Sequence, residues 1–214
     1  MFFLLSGSAA SGKTTLARGL PALLDRVVCH DADEMVATTG EARCEQLELW
    51  VTQALAAQQN GQDFLLTSHS PFGELLACPS AIHLAGIAAC LLDCADTVRI
   101  ARMRARGIDP RWPPSQDLLN WAAWHRLHAW DPQWESRVIV ANGPATHRYD
   151  RWLTWQQGDP RWQVERLDTT TLTPAATLHR LVAWITHCRT RPTALSATTR
   201  WWEATKAHEQ PLSA

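Results

Sequence analysis

The chain has 214 residues, of which 46% are hydrophobic and 19% are charged, and its formal net charge is −1. This composition excludes a disordered chain and is typical of a globular protein with a sizeable core. Because positive and negative charges nearly balance, the chain has no excess positive charge to attract nucleic acid, so a nucleic-acid partner is not expected.

Short apolar runs alternate with segments of helical periodicity along the chain. Strands are predicted at residues 2–5, 26–29, 63–67, 86–93 and 163–168. Helices are predicted at residues 12–24, 41–59, 95–107 and 117–130, and from Thr173-Pro174, a good N-cap and N1 pair, to about residue 188. This alternation predicts a three-layer α/β fold around a five-stranded parallel sheet.

The second half of the chain is unusually rich in tryptophan. Eleven of the twelve tryptophans lie at or after Trp112, and Asp-Pro-x-Trp occurs at 109–112, 131–134 and 159–162. We predict one domain over 1–191 with an enlarged lid or insertion at about 108–162, followed by a loose tail over 192–214. The tryptophans favour aromatic packing under the insertion, with a stacking surface for an aromatic substrate as the alternative, and this role stays open.

A glycine-rich stretch after the first predicted strand carries the strongest motif. Residues 7–14 read GSAASGKT and match G-x-x-x-x-G-K-[ST] between a strand and a helix. Backbone N–H groups of such a loop bind phosphates, the lysine reaches the β- and γ-phosphates, and the threonine hydroxyl holds Mg²⁺. We therefore predict ATP and Mg²⁺ as cofactors, with Lys13 catalytic and Thr14 a metal ligand. The predicted cofactor-binding residues of the loop are Gly7, Ser8, Ala9, Ala10, Ser11, Gly12, Lys13, Thr14 and Thr15.

The loop alone does not identify the class of nucleotide-binding protein. A GTPase would carry N-K-x-D, which the chain lacks. A motor-type ATPase would carry an acidic residue at the end of the third strand, which here ends Thr67-Ser68-His69. Asp93 ends the fourth strand, but no glutamate follows it. Both classes are disfavoured, whereas the preference for ATP over GTP stays open.

Two aspartates, Asp31 and Asp33, follow the second predicted strand. Residues just past the carboxyl ends of parallel strands face the ligand crevice, and alternate spacing on extended backbone aims both side chains the same way. Phosphoryl transfer to a hydroxyl uses one carboxylate to align and deprotonate the acceptor and another at the magnesium. The alternative is that Asp33 caps the next helix, which is compatible with a catalytic role.

The loop, the D-x-D after strand two and the arginine-bearing helix after strand four together resemble the small P-loop kinases. These include shikimate and gluconate kinases, chloramphenicol phosphotransferase and the kinase domain of polynucleotide kinases. The resemblance covers residues 1–107 and the last strand and helix, and it implies an adenylate kinase-like P-loop NTPase fold. In these relatives the aspartate after strand two binds and activates the acceptor hydroxyl. By resemblance, Asp33 is the base and contacts the acceptor, while Asp31 assists Mg²⁺, although the two roles can be exchanged.

The relatives also carry arginines in the helix after strand four and in the lid. Arg102 and Arg106 lie one helical turn apart and share a face. Because guanidinium groups stack on adenine and bind phosphate, we assign Arg102 to adenine and Arg106 to the phosphates, as a catalytic residue. Arg111 is a further lid residue predicted to contact substrate. Arg99 and Arg104 fit a solvated helix face.

Several other polar residues are candidates at the same edge of the sheet. Thr169, in the turn after the last strand, is predicted to border adenine. His69, past strand three, is predicted to contact substrate, whereas His30 is expected to point away from the acids. His125 and His128, at i and i+3, lack a third ligand for a metal site in the sequence.

These residues predict an ATP-dependent kinase that acts on a hydroxyl of a small metabolite, nucleoside or antibiotic. One alternative is a nucleotide or polynucleotide-end kinase, and another is a nucleotide-dependent switch or ATPase without an acceptor. No apolar run approaches the roughly 18 residues of a membrane span, the start lacks the features of a signal peptide, and the six cysteines show no disulfide-like spacing. We expect a cytoplasmic protein with no membrane partner. Whether it is a monomer or a homodimer stays open.

Overall fold

The computed structural model describes residues 1–35, 37, 39–107, 113–141 and 143–203. Its strands are β1 (Phe2–Ser6), β2 (Val27–Asp31), β3 (Asp63–Ser68), β4 (Ile87–Asp93) and β5 (Val164–Asp168). The strands form one sheet in the spatial order β2-β3-β1-β4-β5, and every neighbouring pair is parallel. The helices are α1 (Lys13–Gly19), α2 (Gly40–Gln59), α3 (Phe72–Ala77), α4 (Asp96–Ala105), α5 (Gln116–Trp130), α6 (Arg137–Val140) and α7 (Pro174–Thr190).

Both faces of the sheet are covered. Phe2 and Leu4 of β1 belong to a core that includes residues of α2 and α3, whereas Phe3 and Leu5 belong to a core formed with α1 and α7. All four side chains are completely buried. Side chains alternate along a strand, so a strand with both faces buried is apolar throughout. The predicted three-layer α/β architecture with a five-stranded parallel sheet is confirmed.

The carboxyl ends of the strands meet at one edge of the sheet. Ser6 at the end of β1 is in register with Ser68 at the end of β3. Asp93 at the end of β4 is in register with Asp168 at the end of β5. The segments that follow these strands are therefore neighbours, and this edge is where a parallel α/β sheet binds its ligands.

Several elements differ from the sequence prediction. The helix predicted over 12–24 ends at Gly19 and continues as a 3₁₀ turn, Leu20–Ala22, which contains Pro21. Proline has no N–H to donate and disfavours regular helix before it. The short helices α3 and α6 were not predicted, because six and four residues are too few to show a helical period.

Five of the ten described tryptophans in the second half are buried: Trp124, Trp152, Trp155, Trp162 and Trp201. Trp152 is completely buried, and its indole Nε1 donates to the Gly73 carbonyl at 2.8 Å. Trp155 and Trp162 are also buried, whereas Trp134 is 44% exposed. Two Asp-Pro-x-Trp copies form turns in which the tryptophan N–H donates to the aspartate carbonyl, and 109–112 lies outside the described residues. The packing interpretation fits the buried members.

The start of the predicted loose tail is packed against the domain. The Ile87 N–H donates to the Leu195 carbonyl, and the Ala197 N–H donates to the Leu84 carbonyl, both at 2.9 Å. Leu195 and Trp201 are buried. Residues 192–203 thus differ from the expected loose tail, because apolar side chains there complete the core beside β4.

Among the described helices, none combines the length and the apolar character that a membrane span requires.

Candidate active site

The glycine-rich loop bends between β1 and α1 in a way that two glycines make feasible. Gly7 has φ +155°, and a Cβ there would lie 2.3 Å from the Leu92 carbonyl oxygen. Gly12, the residue before α1, has φ +107°. Side chains are disfavoured in these conformations, which explains glycine at both positions. Gly12 supplies no side-chain cap, so the first N–H groups of α1 lack a side-chain acceptor there.

Arginines of α4 hold the loop from outside. The Arg99 guanidinium donates to the Ala9 carbonyl at 2.6 Å, and Arg102 donates to the Ala10 carbonyl at 3.3 Å. These bonds direct loop carbonyls toward α4. An anion in the loop would therefore meet N–H groups rather than these carbonyl oxygens.

The expectation that Arg99 is solvated is wrong. Its side chain is completely buried, and it pairs with Asp93 at the end of β4 while it donates to the Ala9 carbonyl. A buried guanidinium needs such a carboxylate and carbonyl to offset its desolvation. Arg104, in contrast, is exposed as expected. Arg126 of α5 also donates to Asp93, at 3.0 Å, so this carboxylate joins α4 to α5, and Arg99 extends the link to the loop.

Lys13 is buried and lies against the loop itself. Its Nζ donates to the Gly7 carbonyl at 2.6 Å and to the Ser8 carbonyl at 3.1 Å. Burial lowers the pKa of Lys13 to about 8, although the nearby carboxylates of Asp33 and Asp31 oppose that shift. A phosphate in the loop would offer the ammonium a better partner than two carbonyls.

Thr14 and Asp31 meet at the mouth of the loop. The Thr14 hydroxyl donates to Asp31 Oδ2 at 2.8 Å. A hydroxyl and a carboxylate are oxygen ligands of the kind that Mg²⁺ prefers. The residues present therefore fit the predicted metal ion, with Thr14 and Asp31 as the groups that would hold it.

Asp33 does not lie on extended backbone as the sequence suggested. It belongs to a 3₁₀ turn, Ala32–Glu34, whose N-cap is Asp31 rather than Asp33. The Asp31 carboxylate accepts from the Asp33 N–H at 3.2 Å, and the Glu34 carboxylate accepts from the Asp31 N–H at 3.0 Å. This capping box fixes the two acids relative to each other.

Gln46 of α2 is a positioning residue that the sequence did not reveal. Its side-chain amide donates to the Ala32 carbonyl at 2.8 Å and to the Met35 carbonyl at 2.6 Å. These carbonyls flank the turn that carries Asp33. A single glutamine in a long helix gives no sequence signal for this role, since the contact depends on tertiary packing.

Thr169 and Arg102 form one wall of the cleft over the glycine-rich loop. Arg102 donates to the Thr169 hydroxyl at 2.9 Å and to its carbonyl at 2.6 Å. The Thr169 hydroxyl donates to the Ser11 carbonyl at 3.1 Å, which ties the turn after β5 to the loop. Arg102 and Thr169 are thus brought together as predicted residues of one wall, while stacking on adenine stays a prediction.

A cleft of about 870 Å³ opens over the loop, and we call it the nucleotide cleft after the ligand that the loop motif predicts. It is large enough for a nucleoside triphosphate. Its lining brings together most of the predicted nucleotide and catalytic residues: Ala9, Ala10, Ser11, Gly12, Lys13, Thr14, Thr15, Asp33, His69, Arg102, Arg106 and Thr169. Gly7 and Ser8 do not line this cleft, although Ser8 lines the neighbouring pocket, and Arg111 lies outside the described residues.

A second pocket, of about 390 Å³, adjoins the nucleotide cleft. We call it the acceptor pocket. Asp33 and His69 line both spaces, so they lie at the junction between them. The remaining wall comes from the glycine-rich loop, the turn after β2 and the end of β3, together with α2, the start of α5 and the segment before each of these helices. Asp33 and His69 were predicted as substrate residues, and the structure places them together at this junction.

Three histidines surround this edge of the sheet in different roles. Burial lowers the pKa of His69 well below its ordinary value, and the positive charge of Lys13 adds to the effect, so the ring is neutral at neutral pH. His125 of α5 is buried with Nε2 3.1 Å from the Ser6 hydroxyl. His30 stacks on Phe64 and pairs with Glu34, which agrees with a structural role. The described residues contain no group of three or more His, Cys, Asp or Glu side chains that could together hold a metal ion.

Comparison with solved structures supports the fold. No protein-family model and no curated protein sequence matches this chain. It is similar to the unliganded structure of a sugar kinase from Janibacter sp. HTCC2649, with a TM-score of 0.52 and 16% identity over 92% of this chain and 96% of that one. An uncharacterized protein from Eubacterium ventriosum ATCC 27560 matches with a TM-score of 0.46 and 12% identity over 89% of this chain and 99% of that one. At 16% identity the first likeness shows a shared α/β fold.

Proposed function

We propose that the protein is an ATP-dependent kinase that transfers the γ-phosphate to a hydroxyl group of a small molecule. One observation carries this proposal: Asp33 lies at the junction between the nucleotide cleft and the acceptor pocket. A base at such a junction can contact an acceptor in one space while the phosphate occupies the other. The shared fold with a protein named a sugar kinase supports phosphoryl transfer without indicating the acceptor.

The proposed reaction assigns a role to each side chain at the junction. The acceptor oxygen attacks the γ-phosphorus, the bond from that phosphorus to the bridging oxygen breaks, and the hydroxyl proton passes to Asp33. The products are ADP and a phosphate monoester. Lys13 and Arg106, which both line the cleft, would offset the charge on the phosphates.

Asp31 and Thr14 have a separate role in this proposal. Their 2.8 Å contact places two oxygen ligands beside the loop, where they would hold Mg²⁺. The bound ion would neutralise charge on the β- and γ-phosphates. Because Asp31 bonds Thr14 and Asp33 lines the acceptor pocket, the structure favours Asp31 for the metal and Asp33 for the acceptor.

A transfer screen with γ-labelled ATP tests the proposal. Purified protein is incubated with labelled ATP, Mg²⁺ and a panel of alcohols, sugars, nucleosides and short oligonucleotides, and the labelled products are separated. We expect label on a low-molecular-weight alcohol. Label on oligonucleotide 5′ ends would instead support a polynucleotide-end kinase. Label that appears only as inorganic phosphate, at a rate indifferent to every added acceptor, would contradict a kinase.

A further inference from the structure

A third cavity, of about 500 Å³, lies beyond the acceptor pocket. We call it the outer cavity. The two spaces share four lining residues: Thr39, Gly40, Arg43 and Trp121. The outer cavity is otherwise lined by Glu41, by Glu74 and by residues of α6 and the segment that follows it. Trp121 and Arg43 therefore form a partition between the two cavities. Without it, the combined space would be larger than the acceptor pocket alone.

This partition is held in place from several sides. The Arg43 guanidinium lies 5.2 Å from the centre of the Trp121 ring, and the Trp124 ring is stacked on Trp121 with centroids 4.9 Å apart. Arg43 makes a two-point ion pair with Glu74, whose side chain is 1% exposed. A guanidinium bound in this way has few alternative positions. Trp121 is thus a firm wall rather than a mobile side chain.

The polar side chains around the acceptor pocket are largely engaged in structure. Thr39 and Ser115 accept from backbone N–H groups as the N-caps of α2 and α5. Gln46 donates to two backbone carbonyls, and Arg43 is paired with Glu74. A polyol in this pocket would leave several of its hydroxyl groups poorly paired, which costs free energy for each buried group.

The other described lining residues are mainly apolar, with Met35, Leu118 and Trp121 as the largest. Ser8, Ser68 and Asp117 add polar groups, but Asp117 is exposed and the Ser68 hydroxyl already accepts from the Ser70 N–H. Asp33 and His69 lie where this pocket meets the nucleotide cleft. The pocket therefore has a reactive end and an apolar body. Such a shape matches a molecule with one hydroxyl directed at the phosphate and a hydrocarbon or aromatic body behind it.

We propose that the acceptor is a compact alcohol with an apolar body, and that Trp121 is the specificity-determining wall that limits its length. This inference rests on the proposed kinase function, because it assigns the acceptor of the same site. Truncation of Trp121 would join the acceptor pocket to the outer cavity and admit longer molecules.

The test uses alcohols that differ in one property at a time. The length series is benzyl alcohol, 2-phenylethanol, 4-phenylbutan-1-ol and 6-phenylhexan-1-ol, and the polar series is glycerol, ribose and glucose. Transfer from γ-labelled ATP is measured as kcat/KM for each. We expect the wild-type protein to favour the short phenylalkanols over the polyols by at least about tenfold and to lose activity along the length series.

Variants of Trp121 test the wall directly. Trp121→Ala should raise kcat/KM for 6-phenylhexan-1-ol relative to benzyl alcohol by about tenfold or more, and Trp121→Phe should shift the ratio less. Trp134→Ala is the matched control, since Trp134 is 44% exposed and lines none of the three spaces. ATP affinity and thermal unfolding confirm that each variant is folded. An unchanged length preference in both Trp121 variants would overturn the assignment of Trp121 as the wall that limits acceptor length.

Binding separates this inference from the kinase proposal. Calorimetry on Asp33→Asn with a non-hydrolysable ATP analogue measures acceptor affinity without transfer. Binding of the short phenylalkanols without transfer by the wild-type protein would support the pocket assignment while the kinase proposal fails. Phosphorylation of polyols in preference to phenylalkanols would overturn the assignment while the kinase proposal stands. Absence of phenylalkanol binding and transfer would overturn the assignment as well.

Discussion

The Thr14 hydroxyl donates a 2.8 Å hydrogen bond to Asp31 Oδ2 and so joins the glycine-rich loop to the end of β2. These residues are 17 positions apart, and the parallel sheet brings them together because it aligns the carboxyl ends of its strands. The pair offers two hard oxygen ligands at the mouth of the nucleotide cleft. Nucleotide binding should therefore depend on Asp31 through the metal.

Asp31→Asn tests this dependence on the metal. The amide oxygen still accepts the N–H of Asp33, so the turn is preserved, but the negative charge is lost. We expect the Mg²⁺ concentration for half-maximal ATP binding to rise about 10–100-fold. Titration of Mg²⁺ at fixed ATP provides the measurement, with Asp150→Asn on the surface as control. Equal Mg²⁺ dependence of ATP binding in both variants would contradict the assignment of Asp31 as a metal ligand.

The lowered pKa of Lys13 predicts a pH dependence of ATP binding. Its pKa of about 8 in the nucleotide-free protein reflects burial, and phosphate binding should raise it. ATP affinity should then fall about tenfold per pH unit as the pH rises above 8. The free energy of unfolding without nucleotide should rise over pH 8–10.5, because the unfolded chain, with a lysine pKa of 10.5, binds more protons there.

Lys13→Met is the control for that pH dependence. The variant should bind ATP weakly at every pH and should lack both slopes between pH 8 and 10. Equilibrium binding and urea unfolding across this range give the two readouts. Parallel slopes in the variant and the wild-type protein would show that another group titrates.

The two glycines of the loop should respond differently to alanine. Gly7→Ala places a Cβ 2.3 Å from the Leu92 carbonyl, whereas a Cβ at Gly12 meets no atom within 4 Å. Both variants bear the cost of a disfavoured φ, but Gly7→Ala adds a clash with backbone. We expect Gly7→Ala to lose about 1–3 kcal/mol more free energy of unfolding than Gly12→Ala. Urea unfolding of the two variants measures the difference, and equal losses would contradict the tight approach of Gly7 to β4.

We expect Arg99 to stabilise the glycine-rich loop, unlike a side chain exposed to solvent. Arg99→Met removes a buried partner of Asp93 and of the Ala9 carbonyl. We expect a loss of about 2–4 kcal/mol in the free energy of unfolding, together with weaker ATP binding. Arg104→Met, on the exposed face of the same helix, should change stability by less than about 0.5 kcal/mol. An equally small loss of unfolding free energy in both variants would contradict a stabilising role for Arg99 and would favour a solvated side chain.

Local patterns predicted the parts of the structure that depend on local physics. The alternation of apolar runs and helical segments predicted the sheet, because a strand such as Phe2–Ser6 is buried on both faces. The spacing in GSAASGKT predicted the loop because its backbone conformation requires glycine at Gly7 and Gly12. Asp33 and His69 were predicted at one edge of the sheet because both follow strand ends, and both line the same two spaces there.

Contacts between distant segments were not predictable in the same way. The burial of Arg99 depends on Asp93 and on the Ala9 carbonyl, which only the folded sheet brings together. The role of Gln46 depends on the approach of α2 to the turn after β2. The packing of Leu195 beside β4 has no periodic signal, because the segment from residue 192 to 203 contains no regular helix or strand. Composition alone therefore suggested a loose tail.

A single-turnover comparison of the wild-type protein with Asp33→Asn decides whether Asp33 acts as the acceptor base. With γ-labelled ATP and an acceptor identified by the screen, we expect nearly unchanged ATP affinity and a transfer rate lowered about 10²–10⁴-fold in the variant. Transfer at the wild-type rate in Asp33→Asn, with ATP binding intact, would contradict the assignment of Asp33 as the acceptor base.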